Sequence, residues 1–416
     1  MASGELVACE RSRSGREIVA LLFKFWRTLS TWREARFWET MDHFSHSLPR
    51  ALLFILGGLA TVLPGFGATM KLVVTNARLF TMVSGQEKPM NGFLVVAADG
   101  TLDAAKEGTP PPEVLAERQF RAERDSGIRF VHGINIGRVG PQWSTEQANA
   151  FTKGFVEWVG AQPPTPGFLS VMINGAGTFV GTPAQAKAEA EVMRTLALGN
   201  QTHFLESPPD KYEERAKFRW LQDAGLLGPG LLFGHFVHTD PWILRETVHA
   251  GAGMSWNPLS NGRLASGIVD IPAYVKAGLR IGMGVDGQAS ADRADPFENM
   301  RMGLYQVRAR YEDASVLSPY DVLRMHTVGS ADVLGVADRL GSLAPGKLAD
   351  FLVLDPSDLG PIFDPYASLV FVAGTRDLAR VYVGGELKVL NGQTVGPAFA
   401  QARAEVAKRV KTPGGP

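Results

Sequence analysis

Six short apolar runs, separated by segments rich in helix-forming residues, restrict the fold of this sequence more than any other feature. The runs recur between residues 128 and 286, and segments 184–198 and 211–224 between them favour helices. Strands that alternate with helices form βαβ units, which build a parallel sheet or barrel. We therefore predict an α/β fold. The predicted strands are residues 128–135, 168–174, 202–206, 231–238, 253–257 and 280–286.

The segments that flank this region have the pattern of antiparallel strands. Residues 71–82 and 93–102 precede the alternating region, and residues 350–355 and 380–389 follow it. These segments contain β-branched residues and turn-forming dipeptides such as those at 99–100 and 384–385, which are typical of hairpins. We predict one small β-sandwich subdomain built from both ends, residues 70–108 and 345–395.

The first 69 residues differ from the rest of the chain. An uncharged apolar run from residue 51 to 63 ends at a proline and a glycine. It is shorter than the ~20 residues that span a membrane, but it fits the ~7–15 residues of a signal-peptide core. Residues 51–68 are therefore predicted to be a signal or anchor segment, which would place the protein outside the cytoplasm or on a membrane. Alternatively the protein begins near Met70 and is cytoplasmic, and membrane contact is expected only through residues 1–69.

Charge and cysteine content exclude several classes of function. The 42 basic residues balance the 42 acidic ones, so no net field attracts nucleic acid, and none is expected as a partner. The single cysteine, Cys9, excludes a thiolate metal cluster. Any metal site must therefore use histidine and carboxylate ligands.

Histidines and carboxylates are found at the ends of three predicted strands. His203 and Glu206 end one strand, His235 and His238 end the next, and Asp286 ends the last. The active site of a TIM barrel lies where the carboxyl ends of its strands meet. We therefore predict that these side chains form one site.

Several motifs make the region from about Met70 to Gln393 resemble the amidohydrolase superfamily. The resemblance is to its branch of adenosine-type, guanine and cytosine deaminases and triazine chlorohydrolases. Together the motifs are specific, although no single one is. They are NPLSN at 257–261, LASG at 264–267, GVDG at 284–287 with NMR at 299–301, and GSLAPGKLAD at 341–350.

The resemblance implies a hydrolytic site with one divalent metal ion, zinc or iron. His203 corresponds to a metal ligand, and Asp286 to a carboxylate that binds the metal and accepts a proton from its water. Glu206 corresponds to the acid that protonates a ring nitrogen, and His235 to the residue that steadies the attacking group or the substrate. The implied reaction is hydrolysis of a carbon–nitrogen bond other than a peptide bond, namely deamination of a nitrogen heterocycle. His238, like His132 and His326, is expected to be structural.

The predicted substrate is a small heterocyclic molecule. Trp256, like Phe236, would offer a flat apolar wall to a planar ring, or it would be part of the core. Asn257 would hydrogen-bond the heterocycle, or it would shape its own loop. Both interpretations stay open at this point, as does assembly into a homo-oligomer.

The sequence departs from the family where its first barrel strand should end. Family members carry a metal-binding His-x-His pair there, and no such pair occurs in these 416 residues; His43 and His46 have another spacing. The chain passes from a linker at 109–113 through one short helical stretch to the strand at 128. Two βα units are missing, on the order of sixty residues. We therefore predict an incomplete TIM-type barrel within residues 118–340, with about six of its eight strands.

This departure leaves two functional hypotheses open. One is a hydrolase that uses the remaining ligands, since a catalytic zinc commonly has three protein ligands and a water. The other is a catalytically inactive relative that binds a ligand or a partner protein.

Overall fold

The computed structural model describes residues 70–79, 90–97, 102–107, 112–136, 143–175, 181–396 and 400–404. Up to residue 107 it describes the backbone strands only. The predicted signal or anchor segment, residues 51–68, lies outside the described residues, so it stays a prediction. No helix in the described part of the chain is long and apolar enough to cross a membrane.

A six-stranded parallel sheet forms the centre of the fold, and its strands are adjacent in chain order. All six strands that the apolar runs predict are present, which confirms the α/β class and the partial barrel. The first of them pairs with the second and so on to the last, with helices in the connections. The strands are β4 (Phe130–Ile134), β5 (Phe168–Gly175), β6 (Gly199–Phe204), β7 (Leu231–His235), β8 (Gly253–Trp256) and β9 (Arg280–Met283).

The helices begin at polar residues that cap them. Thr182, Asp240, Asp270 and Asp295 each accept a hydrogen bond from a backbone N–H of the first turn, and a proline follows each within two residues. Such residues satisfy N–H groups that a helix leaves unpaired at its start. The helices are α1 (Pro112–Ser126), α2 (Thr145–Gly160), α3 (Pro183–Leu196), α4 (Lys211–Asp223), α5 (Pro241–Ala250), α6 (Pro258–Arg263), α7 (Ile271–Ala277), α8 (Gln288–Ala291), α9 (Pro296–Tyr311), α10 (Pro319–Arg324), α11 (Ser330–Val333) and α12 (Pro365–Ala367).

Two antiparallel sheets come from the two ends of the described chain. The early sheet has the order β1-β2-β3, and the late sheet has the order β10-β11-β12-β13. The sequence predicted two of the three early strands and missed β3, which contains charged residues. One sandwich made from both sheets, and the domain boundaries, stay predictions. The strands are β1 (Met70–Leu79), β2 (Met90–Ala97), β3 (Leu102–Glu107), β10 (Phe351–Leu354), β11 (Leu378–Val383), β12 (Glu386–Leu390) and β13 (Gln393–Thr394).

Strand β6 begins three residues earlier than the sequence predicts, because its first part is polar. Asn200 is fully buried there. Its amide donates to the Glu189 carboxylate at 2.9 Å and accepts from the N–H of Gly175 at 3.2 Å. Partners on other elements thus satisfy a polar group that the apolar pattern could not place in a strand.

An ion pair connects the parallel sheet to the late antiparallel sheet. The guanidinium of Arg129, which precedes β4, donates to both carboxylate oxygens of Asp350, at 2.8 and 2.5 Å. The N–H of Gly384 also donates to Asp350, at 2.7 Å. A two-point contact of this kind fixes orientation as well as distance, which gives a structural reason for the aspartate that ends the 341–350 motif.

The parallel sheet is open among the described residues, since β4 and β9 do not pair with each other. The edge of β9 is covered by a π-helical turn (Met325–Gly329) and the start of α11. The Ser330 hydroxyl accepts from the N–H of Met283 at 3.1 Å and lies 3.0 Å from its carbonyl oxygen. A Cβ on Gly329 would overlap the carbonyl oxygen of Ile281. A side chain and a close backbone contact thus replace part of a missing strand.

We expect Ser330→Ala to lower the free energy of unfolding by about 1 kcal/mol, because the backbone groups of Met283 lose their partner at the sheet edge. Urea denaturation of the full chain measures the change. Ser342→Ala, at an exposed position, is the control and should change stability by less than about 0.5 kcal/mol. Equal stability of the two variants would show that Ser330 does not protect the edge.

Candidate active site

Four of the predicted site residues lie together at the carboxyl end of the parallel sheet. His203 is in β6, Glu206 follows it, His235 ends β7 and Asp286 follows β9. Glu206 Oε2 lies 3.4 Å from His203 Nδ1 and 3.5 Å from His235 Nε2. Asp286 Oδ2 lies 3.7 Å from His235 Nε2. The side chains meet because parallel strands end at the same edge of the sheet.

The backbone turns sharply at these strand ends. Leu205, His235, Phe236 and Asp286 have φ angles of 55°, 68°, 50° and 61°. Residues with a Cβ rarely adopt this left-handed conformation, and it persists only where the surroundings enforce it. Hydrogen bonds from Phe236 N to the Phe204 carbonyl at 3.1 Å and from Val237 N to the Leu205 carbonyl at 3.0 Å join the two turns. The site is therefore built on a constrained backbone.

One loop supplies a hydrogen-bond partner to three of the four site residues. Ser260 Oγ donates to Asp286 Oδ2 at 2.7 Å, and the Asn261 side-chain oxygen lies 2.8 Å from His235 Nδ1. Ser266 Oγ lies 3.5 Å from Glu206 Oε1. These three polar residues belong to the motifs at 257–261 and 264–267, but sequence reasoning gave them no orienting role. The signal that the sequence offered was their place in family motifs directly after strand β8.

The Glu206 carboxyl is charged near neutrality. Burial alone would raise its pKa, but the hydrogen bond from His203 and the charges of His235 and His203 outweigh burial, and the pKa is lowered. The group is therefore ionised, and it must gain a proton before it can act as an acid.

The residues present fit a divalent metal ion. Among the described residues, His203, Glu206 and His235 offer ligand atoms within 4.8 Å of one another. Imidazole nitrogen and carboxylate oxygen are zinc ligands, and neighbouring ligand atoms around a tetrahedral zinc are about 3.3 Å apart. If Asn261 accepts from Nδ1 of His235, the Nε2 atom of that ring is left free to face the cluster.

The two residues predicted to touch substrate are placed differently. Trp256 is fully buried and packs against Gly303 of α9, so the structure assigns it to the core and not to the site. Phe236 is buried in the same apolar cluster. The Asn257 amide faces Ser255 Oγ at 2.9 Å and the Gly284 carbonyl at 3.1 Å, so it shapes its own loop.

Asn257 also borders a cavity of about 250 Å³ between the strands. His203 and Asp286 line this cavity together with Gln201 and Ser255. The position of Asn257 therefore leaves a substrate contact open, whereas the position of Trp256 does not.

The other histidines discussed above lie outside the cluster. His238 Nε2 is 2.7 Å from the Ser266 carbonyl, and burial lowers its pKa. His132 is fully buried between helices, with Nδ1 2.8 Å from Glu123. Burial also lowers the pKa of His326. These positions agree with the structural roles expected from the sequence.

A buried carboxyl that sequence reasoning missed lies beneath the site. Glu214 of α4 is 2% exposed, and its Oε2 accepts a hydrogen bond from the N–H of Leu205. Burial raises its pKa to about 7, although the bond from Leu205 acts in the opposite direction. Its place in an ordinary polar helix gave no signal in the sequence.

The stability of the protein should decrease between pH 4.5 and 7 because of Glu214. The unfolded carboxyl has a pKa near 4.5 and the folded one near 7, so in this window the folded state holds a proton that the unfolded state releases. The full effect is on the order of 3 kcal/mol. Glu214→Gln removes the titration, so its stability relative to wild type should increase as the pH rises from 5 to 8. Denaturant unfolding at several pH values measures this.

Glu213→Gln is the control, since Glu213 is an exposed neighbour that pairs with Lys217 at 2.7 Å. Its stability relative to wild type should stay nearly constant over the same pH range. A pH-independent difference between Glu214→Gln and wild type would contradict a raised pKa at Glu214.

Comparison with known proteins agrees with this fold. The profile of the amidohydrolase family matches residues 121–388. A 5-methylthioadenosine/S-adenosylhomocysteine deaminase of Desulforudis audaxviator is 32% identical over 306 residues, 71% of this chain and 70% of that protein. An 8-oxoguanine deaminase of Pseudomonas aeruginosa is 37% identical over 235 residues, 55% of this chain and 52% of that protein. The chain thus spans between about half and 70% of the length of these relatives.

Solved structures show the same fold at lower identity. A zinc-bound adenosine deaminase from Xanthomonas campestris superposes with a TM-score of 0.63 at 22% identity, over 73% of this chain and 69% of that one. A zinc complex of atrazine chlorohydrolase from Arthrobacter aurescens gives 0.62 at 22% identity, over 70% and 68%. Since the family profile matches more than half of the sequence and one relative, a deaminase, is 32% identical over 70% of its length, the chain belongs to the amidohydrolase family, in its deaminase branch.

Proposed function

We propose that this protein is a metal-dependent deaminase that hydrolyses the carbon–nitrogen bond of an amino group on a nitrogen heterocycle. One observation carries the proposal. Four side chains converge at one end of the sheet, where the distances between their neighbouring nitrogen and oxygen atoms are 3.7 Å or less: His203, Glu206, His235 and Asp286. Titratable groups that shift one another's protonation at the end of barrel strands are typical of hydrolytic sites.

We assign His203 and Asp286 to hold the metal ion, zinc or iron. His203 belongs to the group of ligand atoms described above, and Asp286 Oδ2 lies 3.7 Å from His235 Nε2 of the same group. A divalent ion in this position would lower the pKa of water from ~15.7 to ~7 and so make a nucleophile available near neutrality. Asp286 keeps a fixed orientation because Ser260 donates to Oδ2 at 2.7 Å and the N–H of Gly287 donates to Oδ1 at 2.8 Å. Its carboxylate is the group that accepts the first proton from water.

Glu206 and His235 handle the substrate side of the reaction. Glu206 is ionised, so its carboxylate can accept a proton from water and then pass it to a ring nitrogen. His235, fixed by Asn261 at 2.8 Å, steadies the oxygen that adds to the ring carbon. The oxygen of water bonds to the ring carbon, Glu206 delivers one water proton to the ring nitrogen, and Asp286 delivers the proton that it accepted to the amino group. The carbon–nitrogen bond then breaks, and the amine leaves as ammonia.

We propose purine-type rings as the substrate class. Relatives that match this chain are named as deaminases of 5-methylthioadenosine and S-adenosylhomocysteine, of 8-oxoguanine and of 5′-deoxyadenosine. Each of these compounds contains a purine ring. The polar lining of the 250 Å³ cavity, from Gln201, Ser255 and Asn257, offers hydrogen-bonding groups to such a ring.

One observation favours a second candidate, a catalytically inactive relative that keeps the scaffold for binding. The 416 residues contain no His-x-His pair, which the resemblance makes part of the metal site. Without it, the metal has only the groups around His203 as ligands. This candidate predicts a folded protein that binds no metal.

Elemental analysis of the purified full chain separates the two candidates. We expect about one equivalent of zinc or iron in the wild type and little metal in His203→Ala or Asp286→Ala, because each variant removes a proposed ligand. His249→Ala, at an exposed position of α5, should keep its metal. The same proteins are assayed for ammonia release from the purine compounds that the relatives are named for.

Each result has a clear meaning for the proposal. Metal together with ammonia release, both lost in the two ligand variants, supports the deaminase. A folded wild type without metal identifies the inactive relative. Metal without ammonia release from any of these purines contradicts the proposed substrate class.

A further inference from the structure

We propose that Glu214 is a positioning residue, whose buried carboxyl orients His203 and Glu206 by holding the backbone N–H of Leu205 between them. This inference rests on the proposed function for the reaction that the two residues perform. The side chain of Glu214 makes no hydrogen bond to His203 or Glu206, and the contact that links it to both is the hydrogen bond with the backbone of Leu205.

Leu205 is the point where the ends of β6 and β7 are joined. Its φ angle of 55° turns the chain so that His203 and Glu206 face each other at 3.4 Å. Its N–H donates to Glu214 Oε2, and its carbonyl accepts from the N–H groups of Val237 and His238, both at 3.0 Å. Movement of this one residue would therefore displace Glu206 and the turn that follows His235.

The environment of Glu214 is costly for a residue with only a packing role. The side chain is 2% exposed, and its Oε1 has no hydrogen-bond partner among the described residues. The nearby ammonium of Lys217 pairs with exposed Glu213 at 2.7 Å. A half-satisfied buried carboxyl is unfavourable, and an apolar side chain of similar size would avoid the cost. Among the residues that the structure describes, the hydrogen bond from Leu205 is the specific contact that accounts for a carboxyl at this position.

Among the described residues, Glu214 alone accepts a hydrogen bond from the N–H of Leu205 outside the sheet ladder. A residue with a Cβ keeps a left-handed backbone conformation only where its surroundings stabilise that conformation. Loss of the carboxyl should therefore allow residues 204–206 to relax toward an ordinary conformation. The separation of Glu206 from both imidazoles would then increase.

The test compares Glu214→Ala, Glu214→Gln and Glu213→Ala in the full chain. Hydrogen exchange is followed in peptides that cover 203–207 and 235–239, and the imidazole ¹⁵N signals of His203 and His235 are recorded among the chain's 8 histidines. The kinetic constants kcat and KM for deamination are measured on the same samples. Glu213 lies on the exposed side of the same helix and serves as the matched control.

We expect Glu214→Ala to exchange faster in these two segments alone and to shift both imidazole signals. Its kcat should fall by about 10- to 100-fold with little change in KM, the range found when a group that orients a catalytic residue is removed. Glu214→Gln keeps an amide oxygen that can accept from Leu205, so it should stay near wild type. Glu213→Ala should match wild type in all measurements.

Faster exchange throughout the sheet, or no change at 203–207, would overturn the proposal in favour of a purely structural role or none. If Glu214→Ala does not fold, Glu214→Asp decides, because its shorter side chain withdraws the acceptor and should produce the same local changes. If the wild type releases no ammonia, the proposed function fails. The exchange and imidazole measurements then still support or overturn the positioning role.

Discussion

Every backbone donor and acceptor at the edge of a parallel sheet needs a partner, and this requirement governs the arrangement around β9. In a closed barrel the next strand would supply those partners. Here the Ser330 hydroxyl lies within 3.1 Å of both backbone groups of Met283, and Gly329 packs directly on Ile281. The turn that follows α10 thus covers an edge that would otherwise be free to pair with another chain. Because β9 leads into Asp286, the same cover steadies one wall of the site.

In the site, the strands place the functional side chains and a loop orients them. The strands bring His203, His235 and Asp286 to one edge, but they do not orient the side chains. Orientation comes from the loop at 257–267, which contacts His235, Asp286 and Glu206 through one residue each. Groups that hold a catalytic side chain in one rotamer contribute through preorganisation, so their effect is largest when the bound geometry must be accurate. The motif at this loop therefore has a physical reason that is separate from substrate binding.

The sequence predicted what local patterns encode and missed what requires contacts between distant elements. Apolar runs located all six parallel strands, whereas the polar start of β6 needs the Glu189 carboxylate from α3 to be tolerated. Likewise His203, Glu206, His235 and Asp286 were predicted together because strand ends converge. The role of Glu214 was not, because only the packing of α4 under Leu205 brings the two together. For Trp256 the sequence left a substrate wall and a place in the core both open, and only its full burial in the fold decides for the core.

The order of strands in the parallel sheet has a consequence for how such a chain acquires its structure. Each strand from β4 to β9 pairs with the strand that follows it in the sequence, so every interface closes over a single short crossover. An assembly of this kind behaves like a linear array of repeats, in which each unit contacts its neighbours and growth can start at any pair. Among the described residues no further parallel strand pairs with β4, and each interface from β4 to β9 is complete without one. The histidines and carboxylates at the ends of β6, β7 and β9 can therefore be brought together by these local folding steps.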